Sequence, residues 1–168
     1  HVAGSPESPV GDFSFGVANG KIEEIPFESG AVKGSFTKNQ VHLEDAILNT
    51  KPGIYSATGD VGIGADDPMH VKVSVDNARA ESLVKPFSDV PITGWVSGNA
   101  WISGTRNDPV VDGEAVLREG SFYGELISEL SVKASLRNQI WDVERISLSG
   151  YDSEVHGKGR IVGDQLDF

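Results

Sequence analysis

The sequence predicts an all-β protein: an elongated, curled antiparallel sheet with an open groove, built from repeated strand meanders. Three observations predict this class. Among 168 residues, β-branched Val (19) and Ile (11) far outnumber Leu (9), a balance that favours strands over helices. Gly is frequent, at 20 residues, as expected where many short strands are joined by turns. Between the turns, apolar and polar residues alternate with a period of two.

The strands are expected wherever alternation runs between two turn signals. Such signals recur about every ten residues, which suits strands joined by short hairpins. Examples are Asn19-Gly20 and Arg137-Asn138. The clearest alternating stretches are 40–44, 71–75 and 131–137. This spacing predicts about twelve strands in an antiparallel meander.

One segment has a different pattern. Residues 77–85 contain helix formers, Asn77 is a candidate N-cap, and Pro86 would end a helix. We therefore expect one short helix near 78–86, between two parts of the sheet.

The chain resembles itself when it is shifted by 100 residues, a sign of an internal repeat. The shift aligns these identical pairs: Gly20 with Gly120, Val32 with Val132, Lys33 with Lys133, Ser35 with Ser135, Glu44 with Glu144, Leu48 with Leu148 and Gly59 with Gly159. In both copies the alternation changes phase, between Leu43 and Ala46 and between Val143 and Ile146. A phase change of this kind predicts a β-bulge, and bulges bend sheets. We expect residues 1–168 to form one continuous β-groove, cut from a longer protein, with repeat units at about 12–92 and 93–168.

Charge and cysteine content exclude several classes of function. The chain has 14 Lys and Arg against 25 Asp and Glu, a net charge of −11, and no Cys. This balance argues against binding to nucleic acid and against a basic membrane-binding patch. The lack of Cys excludes disulfides and thiolate metal sites. No apolar run approaches the length of about 20 residues that a transmembrane helix needs.

The segment from Gly94 to Gly124 has a distinctive order. An alternating strand leads into Ser103-Gly104-Thr105, a polar turn and Pro109, and Val111-Asp112-Gly113 then opens a second strand. This order resembles the recurring stretch of the AsmA-like superfamily and, within it, the TamB (translocation and assembly module) family. The resemblance covers residues 85–168 directly and 20–75 through the internal repeat.

The resemblance implies a fold, a location and a function. Such proteins form long β-taco troughs that are anchored in the inner membrane and cross the periplasm of diderm bacteria. They are implicated in moving phospholipid between the inner and outer membranes, and the TamB family also in outer-membrane protein assembly. The expected partners are phospholipid acyl chains, together with an outer-membrane assembly protein that is bound through other parts of the full-length chain. No enzyme activity, catalytic residue, metal or other cofactor is expected.

Alternation identifies the side chains expected to line such a groove. In the first unit these are Val32, Phe36, Val41, Leu43, Ala57, Val61, Val71, Val73 and Val75. In the second they are Val96, Ala100, Ile102, Val132, Ala134, Leu136, Trp141, Val143, Val155 and Ile161. From spacing alone, the same residues could instead fill the core of a plain β-sandwich.

Enzymatic interpretations find little support in the sequence. The pairs Asp66-Asp67 and Asp164/Asp167 lie beside turn residues, where Asp caps and bends the chain. Three histidines, His42, His70 and His156, occupy polar positions of separate strands, and we do not expect them to form a metal site. The stretch 157–160 lacks the following helix that phosphate binding needs.

Two tryptophans keep a second function open. Trp95 and Trp101 fall on the face opposite Val96 and Ile102, and we interpret this as a strand packed on both faces. The alternative is a β-sandwich adhesin or carbohydrate-binding surface module, in which aromatic side chains stack on sugars.

Overall fold

In a computed structural model, the chain forms a curled antiparallel sheet and one short helix. The structure describes residues 2–5, 8–22, 25–51, 53–85, 89–150, 154–162 and 165–167, and it describes side chains within 8–21, 26–51, 53–85, 89–150 and 154–160. Within these ranges no helix has the length and apolar character needed to cross a membrane. The all-β class and the short helix are both confirmed.

The sheet has twelve strands. They are β1 (Val2–Ser5), β2 (Ser8–Ile22), β3 (Ile25–Phe36), β4 (Gln40–Thr50), β5 (Gly53–Gly62), β6 (Met69–Arg79), β7 (Ile92–Gly104), β8 (Pro109–Phe122), β9 (Glu125–Arg137), β10 (Ile140–Ser149), β11 (Glu154–Val162) and β12 (Gln165–Asp167). Helix α1 (Ala80–Val84) lies between β6 and β7.

The strands pair in sequence order, so β1 and β12 are the two edges of an open sheet. Substantial contacts between elements join only neighbouring strands, apart from α1 against β6 and β7. Among the described elements, no second sheet packs on the first. The sandwich core that spacing alone allowed is therefore not the architecture of this chain.

The pairing register of the first half recurs in the second at an offset of 100 residues. Gly34 pairs with Leu43 as Ala134 pairs with Val143, and the same offset holds from β1–β2 to β4–β5 against β7–β8 to β10–β11. The predicted unit boundaries, 12–92 and 93–168, stay a prediction, because a continuous register does not mark where one unit ends.

Bulges interrupt the ladder at matching places in the two halves. The β4–β5 register shifts between Leu43 and Ala46, and the β10–β11 register shifts between Val143 and Ile146. Both lie where the alternation changes phase, which confirms that prediction. Since a bulge adds a residue to one strand and bends it, these shifts help to curl the sheet.

Helix α1 is shorter than predicted and is capped differently. Its N-cap is Arg79, which makes no side-chain capping bond. Asn77, the predicted cap, has a φ of 53° and donates its backbone N–H to Ser97 Oγ at 3.0 Å. Asn tolerates this left-handed conformation, so Asn77 belongs to the irregular end of β6 and not to the helix. Pro86, the predicted stop, lies outside the described residues.

The fold buries little of its apolar surface. The accessible surface is 11164 Å², whereas a compact monomer of 17.9 kDa exposes about 8000 Å². The buried apolar residues among those described are Ala78, Ala80, Leu117 and Ile127. A single layer of sheet explains both observations, because helix α1 is the one described element that packs on the sheet.

Candidate functional site

The candidate site is one whole face of the sheet, which we call the apolar face. Residues paired across an antiparallel ladder point to the same side, so the register identifies this face strand by strand. Its central row contains Phe15, Val32, Ala46, Ala57, Val73, Ala100, Gly113, Ala134, Val143 and Gly159. Every side chain in this row is apolar or absent.

The rows on either side of the central row have the same character. One contains Phe13, Gly34, Leu43, Gly59, Val71, Ile102, Val111, Leu136 and Trp141. The other contains Val17, Gly30, Leu48, Tyr55, Val75, Gly98, Ala115, Val132, Ile146 and Gly157. Across nine strands, from β2 to β10, the apolar face extends about 40 Å at the usual strand spacing.

The register brings the predicted groove residues together on this face. Those in the three rows are Val32, Leu43, Ala57, Val71, Val73, Val75, Ala100, Ile102, Val132, Ala134, Leu136, Trp141 and Val143. Phe36, Val41 and Val61 form a further row near one set of strand ends, and Val96 and Val155 lie near the other. The Ile161 backbone pairs with Trp141, while the Ile161 side chain lies outside the described residues.

Sequence reasoning missed several members of the face. These are Phe13, Phe15, Val17, Ala46, Leu48, Tyr55, Met69, Val111, Leu117, Leu130, Ile146 and Leu148. The phase change at the bulges could have identified Ala46, Leu48, Ile146 and Leu148. Beyond each bulge the apolar residues move from odd-numbered to even-numbered positions of the strand. Phe13, Phe15 and Val17 follow the same alternation along β2.

Two hollows on the apolar face meet at Val73. The first, of about 330 Å³, reaches from Phe15 to Val73. The second, of about 350 Å³, reaches from Val73 to Trp141. Because they share Val73, they form one continuous trough that runs across the strands.

Side-chain size differs along the floor of this trough. In the first half, the Phe13 ring lies over Gly34, where an added Cβ would come within 2.9 Å of it. In the second half, Gly113 pairs with Ala134, and a Cβ at Gly113 would meet only ordinary contacts, the nearest at 3.5 Å. The second half of the apolar face is therefore open at the position where the first half carries the Phe13 ring.

Helix α1 closes part of one side of the trough. Ala80 packs against Leu117 and Ile127, with Ile92 and Val96 alongside. Leu83, on the same helix, lines the second hollow. This end is the most buried part of the apolar face.

Tyr55 carries a hydroxyl group on this otherwise apolar surface. It pairs with Leu48 and Val75 and lines the first hollow. Burial raises the pKa of Tyr55 above its usual 10.0, and a hydrogen bond with Thr50 partly opposes this shift. The phenol is therefore neutral at physiological pH, so the trough wall carries no charge there.

The opposite face is polar and holds cross-strand ion pairs. Lys33 pairs with Glu44, and Lys133 pairs with Glu144. The hydrogen bond to Glu44 raises the pKa of Lys33, and the hydrogen bond to Glu144 raises that of Lys133. These exposed pairs add little stability, but they mark this face as the one that meets water.

The histidines lie on the polar face beside acidic residues, and His42 and His70 both pair with Asp60 in the register. His42 Nδ1 lies 2.9 Å from Asp60 Oδ1, and His156 Nε2 lies 3.2 Å from Glu154 Oε1. Within the part of the chain that the structure describes, no group of three His, Cys, Asp or Glu could hold a metal ion.

The two tryptophans correct one interpretation. Trp101 is 46% exposed, with Lys72 Nζ at 5.6 Å from its ring centroid. Trp95 has the Arg79 guanidinium at 4.8 Å. Both rings therefore contact cations on the polar face, and the interpretation of β7 as packed on both faces is wrong.

The two hollows present mainly apolar contact surface, to which Tyr55 adds a neutral hydroxyl group. Comparison with known proteins does not identify a family for the chain. No protein-family model matches it, and neither the curated proteins nor the solved structures give a significant match.

Proposed function

We propose that the apolar face binds the acyl chains of phospholipids and conducts them along the trough. The observation that carries the proposal is the unbroken apolar surface from Phe15 to Trp141, with no second layer among the described elements. Water rejects acyl chains at about 0.8 kcal/mol per methylene. An uncovered apolar trough offers those chains an alternative to water.

The dimensions support this substrate class. An acyl chain spans about 15 Å, half of a hydrocarbon core of about 30 Å, so the face of about 40 Å is longer than one chain. Because the trough is open, a polar head group stays in solvent while the acyl chains move along the apolar face. Such a mechanism needs no catalytic residue and no cofactor.

The cellular setting of the proposal comes from the resemblance to the TamB family of the AsmA-like superfamily. We propose a periplasmic location in an inner-membrane-anchored protein of a diderm bacterium, with transfer between the two membranes. Assistance to outer-membrane protein assembly, with a partner bound through other parts of the full-length chain, belongs to the same proposal.

The test uses residues that adjoin in sequence but face opposite ways. A photocrosslinking amino acid at Leu43 or Val143 is expected to capture phospholipid in cells, whereas the same probe at His42 or Asp142 is expected not to. Native mass spectrometry of the purified chain should detect co-purified phospholipid. Absence of lipid, or equal crosslinking from both faces, would contradict the proposal.

A substitution in the second hollow gives a second test. Gly113→Phe would place a ring in the second hollow without a backbone clash, since the site has room for a Cβ. We expect less co-purified lipid with an unchanged circular dichroism spectrum. Gly113→Ala is the matched control and should retain lipid.

The second candidate function is a carbohydrate-binding or adhesive surface module. The exposed ring of Trp101 on the polar face favours it, since sugars stack on such rings. Binding to a glycan array that Trp101→Ala abolishes and Gly113→Phe leaves unchanged would support this candidate over lipid conduction.

A further inference from the structure

The hairpin between β8 and β9 carries an exposed apolar tip. Phe122, Tyr123 and Leu126 are 43%, 66% and 69% exposed. The other described turns are mostly polar, as at Lys38-Asn39. Strongly exposed large apolar side chains in or beside them occur singly, at Ile54, Ile63 and Val155. We call Phe122, Tyr123 and Leu126 the hairpin tip.

The hairpin tip is held in a fixed geometry. Tyr123 and Gly124 have φ values of 49° and 87°, which suit a tight two-residue turn. The Phe122 and Tyr123 rings pack edge to face with centroids 4.8 Å apart, and the Tyr123 N–H donates to the Pro91 carbonyl at 3.0 Å. The turn backbone and the two aromatic rings are therefore held in a defined arrangement, which lowers the ordering cost of binding.

The tip is continuous with the trough. Phe122 pairs with Ile92, and Ile92 packs with Val96 on the cluster of Ala80, Leu117 and Ile127. Val96 in turn lines the second hollow. Apolar surface thus runs from Phe122 to the trough, while Leu126, which pairs with Ser121, lies on the other side of the hairpin.

We propose that the hairpin tip inserts into the interface of a zwitterionic lipid bilayer. Three side chains on a convex turn are too few for a stable protein interface of about 1,200–2,000 Å², whereas a bilayer interface accepts individual aromatic and Leu side chains without a complementary pocket. Exposed Glu119 and Glu125 flank the tip, and the chain has a net charge of −11. Both features disfavour binding to anionic lipids. Binding must therefore rely on the insertion of apolar side chains.

The contact has a role only if the proposed lipid conduction is correct, because it would place one side of the trough beside a source or acceptor of lipid. The insertion itself does not depend on that function. The two are therefore tested separately.

The experiment is co-flotation of the purified chain with phosphatidylcholine vesicles. Since burial of one Leu- or Phe-sized side chain changes partitioning about tenfold, F122S/Y123S/L126S is expected to bind at least about tenfold more weakly. The control V10S/I54S/W101S removes three exposed side chains elsewhere and should bind like the unmodified chain. Vesicles with anionic phosphatidylglycerol should bind the unmodified chain less.

A second measurement does not rely on the triple variant. The chain has no Cys, so Tyr123→Cys takes a single nitroxide label, whose accessibility to dissolved oxygen should rise on adding vesicles. The same label at Asn107, on a polar turn, should not respond.

Lack of binding to phosphatidylcholine, equal binding by the tip variant, or an equal loss in the control would overturn the proposal. If lipid co-purifies with the chain but the chain does not bind vesicles, only the proposal for the hairpin tip is overturned. If the chain binds vesicles but no lipid co-purifies, only the proposal of lipid conduction is overturned.

Discussion

The two halves of the sheet share one backbone register but differ in side chains. Strands β2–β5 and β8–β11 pair at the same positions, offset by 100 residues. On the polar face, His42 faces Asp60 in the first half, and Asp142 faces Arg160 in the second. The acidic partner has changed strand while the register has not. Individual ion pairs therefore do not determine the register; the apolar alternation and the bulges do.

The halves also differ in how the trough is filled. The Phe13 ring covers Gly34 in the first half, while the corresponding pair in the second is Gly113 with Ala134. Helix α1 packs near the second half, and the outer part of the first half is uncovered, with Phe15 66% exposed. The shared backbone thus supports one packed region and one open region, and the following substitutions test that contrast.

The largest expected effect is at the packed end. Leu117 is 4% exposed, so Leu117→Ala should lower the free energy of unfolding by about 3 kcal/mol through lost burial and a cavity. Phe15→Ala, at the open end, should cost less than about 1 kcal/mol because little area is lost from contact. Urea unfolding monitored by circular dichroism measures both. Equal losses would show that the two ends are packed alike.

A smaller effect is expected where the halves differ by one methyl group. A Cβ at Gly34 would collide with the His42 carbonyl oxygen, at 2.1 Å, so Gly34→Ala should lower stability by about 2 kcal/mol through overpacking. Ala134 occupies the corresponding position, and Ala134→Gly should cost only about 1 kcal/mol. If Gly34→Ala is neutral in urea unfolding, the close approach of β3 to β4 is contradicted.

The third prediction concerns the hydroxyl group in the first hollow. Because burial raises the folded-state pKa of Tyr55 above 10.0, the stabilising contribution is intact below about pH 10 and is lost as pH rises through the folded pKa. Ultraviolet titration should show a late tyrosinate transition that Tyr55→Phe removes. The corresponding residue is Val155, and Val155→Phe should leave the titration unchanged.

The smallest effect is expected at the matched ion pairs. The pKa of Lys33 and of Lys133 is raised above 10.5 by Glu44 and Glu144, so any stabilisation by the pairs is present below that pH and lost as pH rises above it. Glu44→Gln and Glu144→Gln should lower the lysine pKa in each half by similar amounts, measured by NMR titration. The shift should shrink at high salt, because both lysines are exposed. If the lysine pKa falls in only one half, the two ion pairs are not equivalent.

Much of the fold follows from local sequence. Alternation at 71–75 assigns faces to Val71, Val73 and Val75, because successive strand residues point to opposite sides. The phase changes at Ala46 and Ile146 predict the bulges in the same way. The Asn77 cap was wrong because cap preference is weak compared with the bulge geometry in which the tertiary structure holds this residue.

The candidate site was predictable in its residues but not in its shape. Alternation cannot tell a sandwich core from an open face, since both need the same apolar rows. Trp101 shows the same limit, because whether an aromatic ring is buried or contacts Lys72 depends on the neighbouring strand.

The sequence by itself therefore determined the strands, their faces and the bulges, since these depend on the nearest residues along the chain. Only the tertiary structure decided that the apolar face has no second layer, that its two hollows join at Val73, and that one half is open where the other carries a ring. Those features depend on how the sheet curls and on what packs above it, and the alternation along a single strand does not encode either.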